Sequence, residues 1–189
     1  MSTYRLVDYT TSMTKENIQN EAVKIISENG YDELSLSLLA DRLGIKKASL
    51  YYYFKSKEEL ISSLFDSFSK EITHLGFSIS FEEDVESVIK KTFLHWKKIY
   101  TSKAYYPYLS LLYQRRDVDE RAEEVSNSLI LMIRAQSEAI VDNLFLKHPC
   151  QIKDKELLSE LFSSTSIFYL ENGMDEEPFL TKFSSLFSH

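Results

Sequence analysis

The 189 residues leave room for one large or two small domains, and a composition of 43% hydrophobic and 27% charged residues is typical of a soluble globular protein. The single cysteine, Cys150, excludes an intrachain disulfide framework, and no apolar run reaches the roughly 20 residues of a membrane span. The net charge of −7 excludes uniform attraction to nucleic acid, although five basic residues from Arg42 to Lys57 form a local run with no acidic residue among them.

The N-terminal segment and the first helix differ in pattern. Residues 1–13 are polar and aperiodic, which predicts a flexible arm, and they contain no signal-peptide core, so we expect a cytoplasmic protein with no membrane partner. Thr14 offers an N-cap oxygen to a helix over residues 15–29. The apolar residues of this helix recur on one face: Ile18, Ala22, Ile25 and Ile26.

Two short helices are predicted next, on either side of a tight turn. Ser35 is a candidate N-cap for a helix over residues 36–43, and a further helix covers residues 46–54. Gly44 stands between them, where a left-handed backbone conformation costs glycine little. Two short helices joined in this way are typical of the helix-turn-helix, which places its second helix in the major groove of DNA.

Capping boxes and apolar spacing predict helices in the rest of the chain, which holds few glycines and prolines. Ser56 and Glu59 form one capping box and open a fourth helix over residues 57–74, and Ser80 and Glu83 form a second box that opens the fifth. The fifth to ninth helices are predicted over residues 81–100, 105–113, 117–147, 154–171 and 176–187. The fold class is therefore all-α, with about nine helices.

The third helix has the spacing of a recognition helix. Leu50 and Phe54 lie four residues apart and can anchor it on a core, so the opposite side points outward at about 100° per residue. The outward face and its flanks comprise Lys46, Lys47, Ala48, Ser49, Tyr51 and Tyr52. Small residues near the helix start permit a close approach to the groove, and lysines can reach guanine edges or phosphates.

Several residues of this region carry a family resemblance. They are Gly30-Tyr31-Asp32, Ser35, Leu39-Ala40, Leu43-Gly44-Ile45, Leu50-Tyr51-Tyr52-Tyr53-Phe54 and Ser56-Lys57-Glu58-Glu59-Leu60. In this combination the segment resembles the DNA-binding domain of the TetR family of transcriptional regulators. The resemblance implies a three-helix DNA-binding domain over residues 14–74, linked by the fourth helix to an effector-binding and dimerisation domain over residues 75–189.

The resemblance also implies which residues contact DNA. By position, phosphate or base contacts fall to Ser35, Lys47, Ser49, Tyr51, Tyr53 and Lys57. Three positions depart from the family pattern: Lys46 stands where a capping Ser or Thr is common, Ala48 where glycine is common, and Tyr53 where histidine is frequent. Because a lysine side chain cannot accept a hydrogen bond, we expect the cap of the third helix to be missing or replaced.

Bulky aromatic residues are concentrated in the fifth to seventh helices, where the resemblance implies an effector pocket. Tyrosine and tryptophan suit a mostly apolar pocket with a few polar handles, and the candidates are Trp96, Tyr100 and Tyr113. Arg134, which follows an apolar run, is a candidate to offset a buried anion. The alternative is that the aromatic residues fill the core and that Arg134 is exposed or paired with a carboxylate.

The last two predicted helices carry apolar stripes that suit a dimer interface. The candidate interface residues are Leu161, Phe168, Phe179, Phe183 and Leu186. Two such helix pairs can pack as an intermolecular four-helix bundle, and a two-fold dimer places its recognition helices about 34 Å apart. The alternative is that the same stripes cover the seventh helix within one chain.

The function expected from the sequence is that of a repressor whose homodimer binds a near-palindromic operator. A small, largely apolar effector would bind among the fifth to seventh helices, tilt the fourth and release the DNA. His148 and Cys150 leave a metal- or redox-responsive regulator as an alternative, although no metal ligand set or other cofactor is predicted. Enzymatic motifs such as a phosphate-binding glycine loop or a nucleophile elbow are absent from the sequence, so an all-helical enzyme or a protein-binding adaptor is a weaker alternative.

Overall fold

The computed structural model describes residues 13–73 and 78–187, and these ranges contain α-helices without a strand. The helices are α1 Lys15–Asn29, α2 Leu36–Leu43, α3 Lys47–Tyr53, α4 Lys57–Thr73, α5 Val85–Thr101, α6 Tyr106–Arg115, α7 Glu120–Lys147, α8 Lys155–Asn172 and α9 Glu177–Ser184, followed by a 3-10 turn over Ser185–Phe187. The predicted all-α class is confirmed. Of the predicted arm, residues 1–13, only Met13 lies within the described residues. None of the helices in those ranges combines the length and hydrophobicity needed to cross a bilayer.

The chain divides into two compact units between Leu64 and Phe65, inside α4. The sequence placed a domain boundary later, after residue 74. The division falls earlier because the side chains after Leu64 are buried in the second unit. Phe68, for example, stacks on Tyr108 of α6 with ring centroids 5.3 Å apart.

The helix ends of the first unit are fixed by local caps. Thr14 and Asn17 form a reciprocal capping box, in which each side chain accepts a hydrogen bond from the other residue's backbone N–H at 3.0–3.1 Å. The Ser35 hydroxyl accepts from the backbone N–H of Leu38 at 3.1 Å and opens α2. Gly44 closes α2 at a φ of 66°, the left-handed conformation expected at the turn into α3.

The core of the first unit joins α1, α2, α3 and the first turns of α4. Its fully buried residues are Ile18, Ala22, Ile25, Leu39, Leu50, Leu60 and Leu64. Each large aliphatic side chain contributes about 1.5–3 kcal/mol by leaving water. The amide of Gln19 in α1 also donates to the backbone carbonyl of Ser63 in α4 at 3.0 Å. Hydrophobic burial and this hydrogen bond therefore hold α3 on a rigid support.

The core of the second unit is built around Trp96 of α5 and Phe162 of α8. Trp96 is fully buried, and its indole lies 5.5 Å from the ring of Phe162. Phe162 in turn stacks on Phe183 of α9 at 4.6 Å. The most extensive helix packing among the described residues joins α7 and α8. These contacts bring α5, α8 and α9 together at one end of the unit.

The two predicted capping boxes have different outcomes. At the start of α4, the Ser56 hydroxyl accepts from the backbone N–H of Glu59 at 3.1 Å, as predicted. The Glu59 carboxylate accepts instead from the backbone N–H of Lys55, at 2.7 Å. The second hydrogen bond of this box therefore comes from the backbone N–H of Lys55 instead of that of Ser56.

The second predicted box, formed by Ser80 and Glu83, is wrong. Residues 81–83 form a turn, and α5 begins at Val85 with Asp84 as its N-cap. The Asp84 carboxylate accepts from the backbone N–H and the hydroxyl of Ser87, at 2.9 and 2.7 Å, and these bonds lower the pKa of Asp84. A carboxylate also interacts favourably with the helix dipole, which explains why aspartate rather than serine opens the helix.

Candidate nucleic-acid interface

The outward face of α3 is exposed as the sequence predicts. Its exposed residues are Lys46, Lys47, Ala48, Ser49, Tyr51 and Tyr52. Leu50 is fully buried and Phe54 almost so, and these two side chains anchor the helix. Tyr52 is 86% exposed, the highest value among the large apolar and aromatic side chains described. This face therefore combines cations, small side chains and hydroxyl groups on an anchored helix.

The positive charge of this region is concentrated at the start of α3. Lys46 and Lys47 are both exposed, and the Lys47 ammonium lies 5.8 Å from the centre of the Tyr51 ring. Arg42 belongs to the same basic run in the sequence, but its guanidinium pairs with Glu28 at 2.5 Å. The local field at α3 thus comes from lysines rather than from Arg42.

The helix start at Lys46 also confirms the expected loss of a cap. Lys46 occupies the N-cap position with extended backbone, and its side chain makes no capping hydrogen bond. The first N–H groups of a helix need an acceptor from outside the helix, and without a side chain they turn to solvent or a bound molecule. The stability of α3 therefore depends on the burial of Leu50 more than on its ends.

Two residues assigned to DNA contact from the resemblance have partners within the first unit. The Tyr53 hydroxyl donates to the backbone carbonyl of Met13 at 2.8 Å. The Lys57 ammonium donates to the backbone carbonyl of Tyr31 at 2.7 Å and lies 3.9 Å from the centre of the same residue's ring. Lys57 therefore fastens the turn between α1 and α2 to the start of α4. No local pattern predicts this contact, because Lys57 and Tyr31 are 26 positions apart.

The hydrogen bond and the cation–π contact between Lys57 and Tyr31 predict an effect on the stability of the first unit. We expect Lys57→Met to lower the free energy of unfolding by about 1–2 kcal/mol, because it removes a charged hydrogen bond and a cation–π contact. Thermal unfolding followed by circular dichroism measures the loss, with Lys55→Met as the matched control because Lys55 is exposed. A fall of about one in the salt slope of DNA affinity, with stability unchanged, would instead identify Lys57 as a phosphate contact.

A family comparison covers the same residues. Residues 18–64 match the family model described as "Bacterial regulatory proteins, tetR family", so the match includes α2, α3 and the start of α4. Over these residues, about a quarter of the chain, the sequence is similar to that family.

Two named proteins are similar to about a quarter of this chain. The "Fatty acid metabolism regulator protein" of Bacillus subtilis is 42% identical over 48 residues, which are 25% of each chain. The "Biofilm operon icaADBC HTH-type negative transcriptional regulator IcaR" of Staphylococcus epidermidis is 44% identical over 46 residues, 24% of this chain and 25% of that protein. The matches thus span about a quarter of the length of these relatives.

Solved structures resemble the fold over most of the chain. The TetR-family regulator PfmR from Thermus thermophilus has a TM-score of 0.63 at 20% identity, covering 93% of this chain and 96% of that one. A TetR/AcrR-family regulator from Thermobifida fusca has a TM-score of 0.60 at 19% identity, covering 92% and 95%. These likenesses show a shared fold that includes the second unit.

The effector candidates predicted from the sequence lie in two places. Trp96 is fully buried and donates its indole N–H to the side-chain oxygen of Gln136 at 2.6 Å, so it belongs to the core. Tyr100 borders a cavity between α5 and α8. Tyr113 interacts with the Tyr100 hydroxyl and donates its own hydroxyl to Glu171 of α8 at 3.2 Å. The cavity that Tyr100 borders is therefore lined by α5, α8 and the turn to α9, and not by the fifth to seventh helices together.

The two tyrosines keep their protons near neutral pH. Burial raises the pKa of Tyr100 to about 12, a shift that the hydrogen bond with Tyr113 partly opposes. Burial also raises the pKa of Tyr113, with the neighbouring Tyr100 and Glu171 acting in the same direction. Both side chains are therefore neutral phenols rather than phenolates, and the Tyr113 hydroxyl donates toward α8.

Arg134 does not lie near these aromatic residues. It is exposed and lines an open groove between α7 and α8, together with the carboxylates of Glu138, Asp142, Glu156 and Glu160. The hypothesis that Arg134 offsets a buried anion is therefore wrong, and its alternative as an exposed arginine among carboxylates describes the structure. Helical spacing could not decide this point, because it depends on where α8 packs.

The candidate dimer residues divide into exposed and buried ones. Leu161 and Phe168 are 44% and 55% exposed on α8, and Phe179 and Leu186 are half-buried. Phe183 is only 6% exposed and stacks on Phe162, so it belongs mainly to the core, although it also lines the groove described next. A groove of about 490 Å³ between α8 and α9, the α8–α9 groove, is lined by Leu161, Thr165, Tyr169, Phe179, Lys182 and Leu186, among others. This surface matches the exposed part of the predicted stripes.

His148 and Cys150, the pair that suggests a metal or redox response, differ in their exposure to solvent. Cys150 is 5% exposed, whereas His148 is half-buried. Over residues 13–73 and 78–187, no group of three or more His, Cys, Asp or Glu side chains is placed to hold a metal ion. The described geometry gives this alternative no support.

Proposed function

We propose that this chain is a transcriptional regulator that binds duplex DNA as a homodimer, represses its target genes and is released by a small effector. The observation that carries the proposal is the outward face of α3, where exposed lysine, small and tyrosine side chains stand on a helix anchored by Leu50. The TetR-family match covers this face. Repression is supported by the staphylococcal relative, which is named a negative transcriptional regulator.

The face of α3 suits the major groove in size and chemistry. The groove is about 12 Å wide and admits one helix, and small Ala48 and Ser49 let the start of α3 approach the base edges. Lys47 is placed to reach guanine or phosphate oxygens, and the Tyr51 hydroxyl can donate to a phosphate. A two-fold dimer would present two such helices to half-sites about 34 Å apart, which requires a near-palindromic operator.

Substitutions on α3 test the DNA contact. We expect Lys47→Ala to weaken binding about tenfold and Tyr51→Phe about fivefold, because each removes one polar contact without altering the core. Fluorescence anisotropy would measure affinity at several salt concentrations, on duplexes that the unsubstituted chain enriches from a random library. Lys24→Ala is the matched control, because Lys24 is exposed on α1. Unchanged affinity in both α3 variants at moderate salt contradicts the assignment.

The second unit supports the other parts of the proposal. The α8–α9 groove and the exposed Leu161 and Phe168 favour pairing with a second copy of the chain. The cavity beside Tyr100 is the place we assign to the effector, between α5 and α8. A DNA partner and a single cysteine favour a cytoplasmic location.

A further inference from the structure

The cavity beside Tyr100 has a defined chemistry. It has a volume of about 120 Å³ and lies between the C-terminal half of α5, the end of α8 and the turn from α8 to α9. Most of its wall is apolar or aromatic: Phe93, Tyr100, Tyr169, Leu170 and Met174. Pockets for drug-sized ligands measure roughly 300–1,000 Å³, so the occupant of this cavity is small.

One ion pair supplies the charge of the cavity wall. The Lys97 ammonium of α5 donates to both carboxylate oxygens of Glu176, at 2.5 and 2.7 Å, and both residues line the cavity. The Glu176 side chain is 10% exposed and that of Lys97 is 38% exposed. Glu176 is thus the fixed, buried partner, and the ammonium of Lys97 reaches it from the solvent side.

The charge state of Glu176 follows from these contacts. Burial alone would raise the pKa of its carboxyl, but the hydrogen bond from Lys97 and the positive charges of Lys97 and Lys90 lower it overall. Glu176 is therefore a carboxylate at neutral pH. A buried carboxylate without a cation is costly, so the cavity requires a positive group beside Glu176 at all times.

This requirement selects the charge of a ligand. An anion would have to compete with the Glu176 carboxylate for the Lys97 ammonium and would leave Glu176 unpaired, whereas a neutral molecule would gain only the apolar wall. An ammonium ion can replace that of Lys97, whose flexible side chain is able to return to water. Aromatic side chains around the carboxylate add attraction for a cation.

A neighbouring ion pair, between Lys90 and Glu177, lies outside the cavity and serves as a comparison. Lys90 of α5 pairs with Glu177 of α9 at 2.5 Å, and these side chains are 42% and 53% exposed. Neither residue lines the cavity. Glu177 therefore joins the same two regions of the fold as Glu176 but lacks the burial and the apolar surroundings.

We propose that this cavity binds a small apolar amine as its ammonium ion, which takes the place of the Lys97 ammonium on Glu176. This inference names the chemical class of the effector and so rests on the proposed function. The alkyl part of the amine packs against the apolar wall, and its charged nitrogen donates hydrogen bonds to the carboxylate. Lys97 acts as a resident substitute that keeps Glu176 paired when the cavity is unfilled.

The test is a calorimetric titration of the full chain without DNA, using three probes with the same five-carbon chain. We expect n-pentylammonium to bind about tenfold more tightly than 1-pentanol, because its charge-assisted hydrogen bonds to Glu176 replace those of Lys97 while the Lys97 ammonium returns to water, and pentanoate to show no binding. Equal affinity for the amine and the alcohol, or binding of pentanoate, overturns the proposal. Since the titration contains no DNA, a failure to bind operator is a separate outcome that concerns the proposed function alone.

Two matched substitutions locate the site. Glu176→Gln is expected to abolish the preference for amine over alcohol, whereas Glu177→Gln keeps it. Lys97→Met removes the resident ammonium and is expected to tighten amine binding about tenfold, because the ligand then meets an unpaired carboxylate. A preference that survives in Glu176→Gln, or is lost equally in Glu177→Gln, overturns the proposal. The comparison of the three probes on the unsubstituted chain stands even where a variant fails to fold.

Discussion

Replacing both Leu161 and Phe168 with glutamate is expected to convert the proposed dimer into monomers and to weaken operator binding by more than about 100-fold. These side chains are 44% and 55% exposed on α8, and no residue of their own chain covers them fully. Two glutamates per chain place four charges in a two-fold dimer interface, and each has to be stripped of water or left unpaired. A monomer also loses the gain in affinity from engaging two half-sites at once.

Sedimentation equilibrium measures the first effect, and anisotropy on the enriched duplex measures the second. Because the replaced side chains are exposed, the monomer is expected to keep its thermal stability within about 0.5 kcal/mol. Leu146→Glu is the matched control, because Leu146 is 85% exposed on α7 and lies outside the α8–α9 groove. A double variant that remains dimeric would assign the exposed α8 stripe to another role.

The largest effect on stability is expected from Trp96→Ala, which should lower the free energy of unfolding of the second unit by about 3–5 kcal/mol. Trp96 is fully buried, contacts Phe162 and satisfies its indole N–H through Gln136. Its removal leaves a large cavity and an unpaired amide group in the core. A domain of ordinary stability has only about 5–15 kcal/mol to lose, so this unit should unfold at a much lower temperature.

Differential scanning calorimetry measures this loss, and two further variants test its cause. Gln136→Met keeps the volume but leaves the indole N–H unpaired, and we expect it to cost about 1–3 kcal/mol. Leu131→Ala, at a residue 62% exposed on α7, should have almost no effect. If Trp96→Ala is about as stable as the unsubstituted chain, the contradiction favours the prediction that Trp96 lines an effector pocket, whose wall can rearrange around the missing side chain.

The first unit was predictable because its determinants are local. The N-caps Thr14 and Ser35, the turn at Gly44 and the spacing of Leu50 each act within a few residues, and the structure has all of them where the sequence places them. The missing cap at Lys46 followed from the chemistry of lysine alone. Local rules were less exact for the predicted capping boxes: Glu59 accepts from Lys55 at the start of α4, and Asp84 rather than Ser80 caps α5.

Contacts between distant segments could not be predicted in the same way. Lys97 and Glu176 are 79 residues apart, and the sequence around Glu176 has no pattern that indicates a buried carboxylate. The sequence predicts Trp96 in a pocket and Phe183 in a dimer interface, whereas both side chains are buried. The difference arises because an apolar stripe does not indicate which helix will cover it. Their burial depends on how α5, α8 and α9 pack together.

Tyr169 lines both the cavity that holds Glu176 and the α8–α9 groove. In the proposed complex, a ligand in the cavity that displaces the Tyr169 ring changes the shape of the groove. In the proposed dimer, a second chain bound in the groove restrains the same ring from the other side. Thermodynamic reciprocity then requires that each event alters the equilibrium constant of the other by the same factor. The concentration of the protein itself thereby becomes part of the signal, since a cell with more chains to pair would respond to the same amine at a different threshold.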